Sequence, residues 1–328
     1  MSGKRQTPPS RILFWAIVLA LLLLTPSLWL LGEQRESAAA PTSGRWLIDF
    51  DRDGSLQLTL KRRSSGNGSW NSSDDYTVKD FQGLQRPSSS TEVPAHFQMV
   101  RDAGTITFDG QLGDSGGAGR FSFAANPEYL SALAKMGYPA PDAGDVFSLA
   151  VHDVSRAFIR DLESLGYKHV PLDDMISMRI HGATPEFIRE LKALGYDHLS
   201  TDDLVSMRIH GATGAFIREM KALGYDHLSA DDLVSMRIHG ATPEFVKELR
   251  SLGYRDLSAD DLVSMRIHGV TPEFIRDLQS LGYKDIAADD LVSMRIHGVS
   301  VDYVKKMKAR FKNVSVDELV EMKIHGRS

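Results

Sequence analysis

Asp231-Asp232-Leu233-Val234-Ser235-Met236-Arg237-Ile238-His239-Gly240-Ala241-Thr242-Pro243-Glu244-Phe245-Val246-Lys247-Glu248-Leu249-Arg250-Ser251-Leu252-Gly253-Tyr254 reads as two short helices joined by a tight turn. The first runs from the paired aspartates to His239 and is ended by Gly240, because glycine takes the left-handed conformation that closes a helix. Acidic residues at its start and basic ones near its end suit the helix dipole. The second opens with Thr242 as N-cap and Pro243 in the first turn, lines Phe245, Val246, Leu249 and Leu252 along one face, and stops at Gly253. Tyr254 is placed to fold back on Leu249 in a Schellman ending.

The unit repeats. Ser-Met-Arg-Ile-His-Gly begins at Ser177, Ser206, Ser235, Ser264 and Ser293, a period of 29 residues, with degenerate copies around His152 and His325. Helices of the second type are expected near Pro127 to Met136, Ser155 to Leu165, Thr184 to Leu194, Thr213 to Leu223, Thr242 to Leu252, Thr271 to Leu281 and Ser300 to Arg310, so that seven helix pairs fill residues 126–328. Each unit buries roughly eight apolar side chains worth about 1.5–3 kcal/mol apiece, which cannot offset ordering 29 residues at about 1–2 kcal/mol each. One unit alone should not fold; stacked units share their apolar faces in a solenoid-like array. The last unit has Val301 in place of proline and a basic surface of Lys305, Lys306, Lys308, Arg310 and Lys312, which suits a polar end cap.

Upstream of the repeats the period changes to two. Trp46, Ile48 and Phe50, then Leu56, Leu58 and Leu60 across the Asp51-Arg52-Asp53-Gly54 turn, alternate with polar residues as a hairpin with one apolar face. Further runs at Phe97 and Met99, at Ile106 and Phe108, and at Phe121 and Phe123 bring the expectation to five or six strands in one antiparallel sheet, curled toward a barrel. The stretch Gly113-Asp114-Ser115-Gly116-Gly117-Ala118-Gly119 lacks the following Gly-Lys-Ser/Thr of a phosphate loop and reads as a hairpin turn.

At the N-terminus, Ile12 to Leu31 carries no charge over 20 residues, enough helix for the roughly 30 Å hydrocarbon core of a bilayer. Lys4, Arg5 and Arg11 precede it, so the positive-inside rule puts the remainder of the chain outside the cytoplasm. A cleaved leader is the competing reading, given Ala38, Ala39 and Ala40, but the apolar run is too long for one and Pro41 would follow the cut. The expected organisation is a basic cytoplasmic N-terminus (1–11), a transmembrane signal anchor (12–31), a flexible stalk (32–44), an antiparallel β module (45–125) and a helical repeat array (126–328). The fold class is α+β, mainly α, with the transmembrane helix counted in it.

Candidate chemistry is sparse. Cysteine is absent, which excludes disulfides, thiolate zinc sites and cysteine nucleophiles. His152, His181, His210, His239, His268, His297 and His325 share one repeat position, and His169, His198 and His227 another. Stacked helices lie about 8–10 Å apart whereas zinc takes nitrogen at about 2.0–2.1 Å, so the ladder reads as helix C-terminal histidines that can donate to free carbonyls. Met178, Met207, Met236, Met265 and Met294 sit at helical spacing with leucines and isoleucines and read as core. Asp49, Asp51, Asp53, Asp74 and Asp75 lack calcium-loop spacing and read as strand edges and turns. No catalytic, cofactor-binding or metal residue is assigned, and no cofactor.

Gly119-Arg120-Phe121-Ser122-Phe123-Ala124-Ala125-Asn126-Pro127, Leu149-Ala150-Val151-His152-Asp153-Val154 and the Met-Arg-Ile-His-Gly repeats together resemble the extracytoplasmic tail regions of bacterial BlaR/MecR-type antirepressor membrane proteins, over residues 45–328. Full-length relatives carry a multi-helix metallopeptidase portion with a His-Glu-x-x-His motif, which this chain lacks. The resemblance implies a bacterial envelope setting and a signalling context, and it transfers no catalytic residue.

The functional expectation is a non-enzymatic, membrane-anchored extracytoplasmic protein. Its array serves as a protein-binding scaffold or sensor accessory, contacting the membrane through residues 12–31 and a protein partner through the repeats. The alternative is a metal-dependent or hydrolytic envelope enzyme with its site in the β module. Nucleic acid is a poor partner for repeats carrying about −5 over residues 145–328, although Ile267-His268-Gly269-Val270-Thr271 faintly resembles a helix-hairpin-helix turn.

Overall fold

The computed structural model describes residues 42–63 and 69–326, all within one compact unit. Six strands come first: β1 (Thr42–Phe50), β2 (Ser55–Arg63), β3 (Ser69–Thr77), β4 (Val93–Arg101), β5 (Gly104–Leu112) and β6 (Gly116–Ala125). They form one antiparallel sheet in the order β3-β2-β1-β6-β5-β4, which pairs the first and last strands at its centre. The β1–β2 hairpin pairs Trp46 with Leu60 and Phe50 with Leu56, which sets both apolar runs on one face. The sheet is not closed by a ladder between β3 and β4; the connection between them instead crosses to the far edge, where Gln82 and Gln98 exchange backbone hydrogen bonds of 2.7 and 2.9 Å.

One face of the sheet is packed. Trp46, Ile48, Leu58, Leu60, Phe97, Ile106, Phe108 and Phe121 are buried on it, with Phe97 and Phe108 stacked at 4.7 Å and Trp46 edge-on to Phe97 at 5.3 Å. The Trp46 indole N–H donates to the carbonyls of Asp109 and Arg120 at 3.2 and 3.1 Å. It lies over Gly119 and Gly110, where an added Cβ would come within 2.7 Å of the ring. That packing explains a departure from the sequence reading: Gly116, Gly117 and Gly119 belong to strand β6 rather than to a turn. Two further departures involve strand ends. Thr42, Ser43 and Gly44, expected in the stalk, pair with Phe123, Ser122 and Phe121. β3 (Ser-Trp-Asn-Ser-Ser-Asp-Asp-Tyr-Thr) has too few apolar residues to register as a strand by hydrophobic alternation, yet it pairs with β2 along its whole length.

Seven helix pairs follow. Helices of one type are α1 (Pro127–Lys135), α3 (Arg156–Ser164), α5 (Pro185–Ala193), α7 (Gly214–Ala222), α9 (Pro243–Ser251), α11 (Pro272–Ser280) and α13 (Val301–Arg310). Those of the other are α2 (Ala143–Val151), α4 (Leu172–His181), α6 (Thr201–His210), α8 (Ala230–His239), α10 (Ala259–Ile267), α12 (Ala288–Ile296) and α14 (Val316–Ile324). Caps behave as the residue types dictate. The Thr242 hydroxyl accepts from the Phe245 N–H at 3.3 Å, Ser229 and Asp232 form a capping box, and the Tyr254 N–H returns to the Leu249 carbonyl at 3.1 Å. Each type packs on its own kind in the next repeat.

Contacts between repeats are also periodic. Tyr167, Tyr196, Tyr225, Tyr254 and Tyr283 each donate a hydroxyl, at 2.8–2.9 Å, to the carbonyl of Leu199, Leu228, Leu257, Ile286 and Val314 respectively, in the next unit. Burial pushes the Tyr254 hydroxyl pKa up to about 12, so this bond keeps its proton across the physiological range. In the reverse direction Lys192 and Lys221 donate to Leu165 and Leu194, the last carbonyls of the preceding helix, at 2.7 Å. Ordinary helix ends leave such carbonyls unsatisfied.

The sheet and the array are joined by buried contacts. Phe147 of α2 stacks on Phe121 at 5.2 Å and meets Trp70 edge-on at 5.1 Å. Asp102, in the β4–β5 turn, receives the Arg156 backbone N–H at 2.8 Å and its guanidinium at 2.6–3.0 Å, where α3 begins.

The fold class expected from the sequence needs correcting. Among the described residues no helix is long and apolar enough to cross a membrane. The longest have 10 residues, about 15 Å at 1.5 Å per residue, half a bilayer core. What the structure supports is an α+β fold of one six-stranded antiparallel sheet and the fourteen helices above. The expected transmembrane helix over 12–31, the N-terminus 1–11 and the stalk up to residue 41 lie outside the described residues.

Two predictions follow from these joins. Deleting residues 230–258 brings Ser229 directly to Ala259 and recreates the native Ser-Ala-Asp-Asp junction. The shortened chain should fold cooperatively, with a lower urea midpoint and a smaller denaturant slope because less surface is buried; a chain that fails to fold would refute nearest-neighbour stacking. The Arg156 guanidinium bonded to Asp102 holds that carboxyl below its ordinary value. Because the folded pKa is depressed, the contribution is present above the unfolded value of about 3.9 and is lost as pH falls through the folded one. Asp102→Asn should therefore destabilise the protein at pH 7, and its deficit relative to wild type should shrink toward pH 2 in urea titrations.

Candidate functional site

The hexapeptide motif distributes its side chains by helix geometry. Met178, Met207, Met236, Met265 and Met294 are fully buried. The arginine after each methionine reaches back to the preceding repeat, its guanidinium carbon 5.0–5.3 Å from the ring centre of Phe158, Phe187, Phe216, Phe245 or Phe274. Arg208 also lies against Gly182, where a Cβ would meet its guanidinium at 3.1 Å. The isoleucine, two residues past the methionine and about 200° around the helix, has to face outward.

Ile180, Ile209, Ile238, Ile267, Ile296 and Ile324 are accordingly between 51% and 55% exposed. Repeated at neighbouring helices that stack at roughly 8–10 Å, they form a regular apolar stripe along one side of the array. Beside it His181, His210, His239, His268 and His297 are exposed. Their imidazoles make no side-chain hydrogen bond among the described residues, which differs from the expectation that they fold back onto carbonyls. The reason is local: backbone N–H groups already cap those carbonyls, as Gly240 and Ala241 do for Arg237 and Met236. No group of three or more His, Cys, Asp or Glu side chains is placed to hold a metal among the described residues.

At its first end the stripe runs into a groove of about 470 Å³ between the free edge of β3 and helices α2 and α4, lined by Trp70, Asp74, Ser148, His152, Ile176 and Ile180 among others. His152 differs from the later ladder members because it is only half exposed. Burial lowers its pKa and the Arg179 charge adds to this, while Asp74 opposes both. Its carbonyl accepts from Arg179 at 2.9 Å. The groove offers the His152 imidazole, four serines, of which Ser148 is engaged with the Gly144 carbonyl, Ser72 with Asp74 and Ser73 with Thr59, the aspartates Asp74, Asp145 and Asp173, and the apolar side chains of Trp70, Ile176 and Ile180. This arrangement suits binding of an extended chain better than proton transfer.

The five aspartates of the β module are not brought together. Asp51 and Asp53 serve the β1–β2 turn, where the Ser55 hydroxyl donates to Asp53 at 2.6 Å and holds its pKa down. Asp74 and Asp75 point to opposite faces of β3, and Asp49 faces solvent on β1. Sequence reading missed the groove, which depends on β3, and it missed the stripe. The isoleucines, expected in the core with the methionines, lie outside; the signal was their spacing, since Ile238 stands about 200° around the helix from Met236 and about 140° from Leu233.

Comparison with protein-family models, with curated proteins and with solved structures finds no match to this chain. The site is therefore read from its own geometry.

The groove yields one measurement. By nuclear magnetic resonance the His152 imidazole should titrate below the ordinary value of about 6.5, and Asp74→Asn should lower its midpoint further. A folded pKa below the unfolded one means that the neutral form is favoured. The associated stability is present above about 6.5 and declines as pH falls toward the folded value. A midpoint at or above 6.5 would contradict the buried placement.

Proposed function

We propose that this protein is a binding component whose repeat array docks a protein partner along the isoleucine–histidine stripe, with the groove at β3 receiving the partner's end. The observation that carries this reading is the recurrence of an isoleucine more than half exposed in each of six repeats. Scattered apolar residues on a surface need no explanation, but an aligned set rimmed by polar residues marks an interaction surface. The side chains around the stripe, Asp231, Ser235 and His239 in one repeat, supply a polar rim that fixes register. Short helices tied by tyrosine and arginine contacts give a rigid support, and rigidity lowers the entropic cost of docking.

The groove extends the same surface. Among the described residues β3 is an edge strand, so its outward backbone groups can pair with an added strand. A partner with an extended, apolar segment fits both features.

The test is a triple variant, Ile209→Ser, Ile238→Ser and Ile267→Ser. Each site is exposed, so stability should change by no more than about 0.5 kcal/mol per substitution. Crosslinking from intact cells with the full chain as bait should recover a discrete partner that the triple variant loses. Equal recovery by both chains, or nothing above background from wild type, would end this reading.

A further inference from the structure

A second surface, remote in sequence from the repeats and independent of the docking proposal, concentrates positive charge among the described residues. The chain as a whole has a net charge of −5, yet one end of the sheet gathers four cations. Lys61, Arg45 and Arg120 are direct cross-strand neighbours on β2, β1 and β6. Residues so paired have Cβ atoms about 4.5–5.5 Å apart, and like charges placed that way destabilise a sheet. Arg62, the next residue on β2, turns to the other face and lies over the rings of Trp70 and Phe147 at 5.8 and 5.7 Å.

None of the four side chains forms a hydrogen bond or ion pair among the described residues. The Arg62 Nε is shielded from solvent and still has no acceptor. Asp109, the cross-strand neighbour of Arg120, offsets part of this charge while also binding His96 at 2.7 Å, and Asp142, close to the Arg62 guanidinium, caps α2 through the Asp145 N–H at 2.8 Å. A guanidinium nitrogen shielded from water costs free energy until it finds an acceptor.

All four cations line one open cavity of about 600 Å³, together with Ser43 and Ser69. Gly44 lies at its wall, where a Cβ would stand 2.2 Å from the Lys61 carbonyl oxygen and 2.6 Å from the Phe121 ring, so no side chain can occupy that space. Arginine forks match the geometry of phosphate oxygens, and lysine adds a point charge.

We propose that this cavity binds a phosphate-class oxyanion carrying at least two negative charges. The anion would accept from Arg62 and relieve the repulsion among Lys61, Arg45 and Arg120. The same chemistry is offered by a soluble pyrophosphate or phosphoester and by an anionic lipid headgroup.

The experiment uses the full chain in two arms at fixed ionic strength. One titrates inorganic pyrophosphate by calorimetry; the other measures co-sedimentation with phosphatidylglycerol vesicles, with pure phosphatidylcholine removing attraction that does not depend on charge. Saturable binding in either arm is expected, and the arm that responds identifies the source. The double variant Arg45→Gln, Arg120→Gln should weaken binding at least tenfold, while its unliganded melting temperature stays equal to wild type or rises as two repelling charges leave. Arg62→Lys, which keeps the charge but loses the fork, should also weaken binding. Absence of binding in both arms, or wild-type binding by both variants, would overturn the proposal.

Discussion

The tie between neighbouring repeats is the constraint on which the array rests. A tyrosine set just past a helix-ending glycine folds back onto its own helix through its backbone and forward into the next repeat through its hydroxyl, as Tyr225 does with Met220 and Leu257. Arginines run the other way, Arg237 covering Phe216 of the unit before. Helices of nine or ten residues are too short to persist alone in water. They are stable here because each satisfies the polar ends and covers the aromatic rings of the one beside it, and a contact that recurs every 29 residues can be extended by adding units.

Among the described residues the first unit has no helical neighbour on one side, and the sheet takes that place. Phe147 occupies a layer of sheet aromatics, and the Tyr129 hydroxyl reaches the Val154 carbonyl at 2.7 Å. Asp102 fixes where α3 starts by accepting from both the backbone and the side chain of Arg156. The β module is thus the cap of the array as well as a carrier of its own cavity. In the last described unit α13 exposes Lys305, Lys306, Lys308 and Arg310.

Both proposed surfaces arise where the fold leaves a group without an internal partner. Core packing takes the methionine and leucine of each motif, neighbour packing takes the arginine, and the isoleucine remains exposed. In the sheet, β pairing sets three cations in a row that ends on Asp109, and aromatic packing holds a fourth cation beside them. An apolar stripe and a basic cavity select different chemistry, and the two can be occupied separately.

By itself the sequence determined the period, the ends of the helices and the burial of the methionine and leucine positions. Gly240, Thr242 and Gly253 act through their own backbone conformation or a hydrogen bond three residues away, and Met236 and Leu249 follow from helical spacing. Those are local rules and can be read along the chain. Tertiary structure decided the rest. β3 is a strand because β2 offers it a ladder, not because its residues alternate; Gly117 and Gly119 lie in a strand because neighbouring backbone and the Trp46 ring leave no space for a Cβ. Which apolar residue of a motif faces water, and which cations stand opposite one another, depends on how separate elements meet. That information is absent from any single stretch of sequence, because packing partners and register are chosen between segments far apart in the chain.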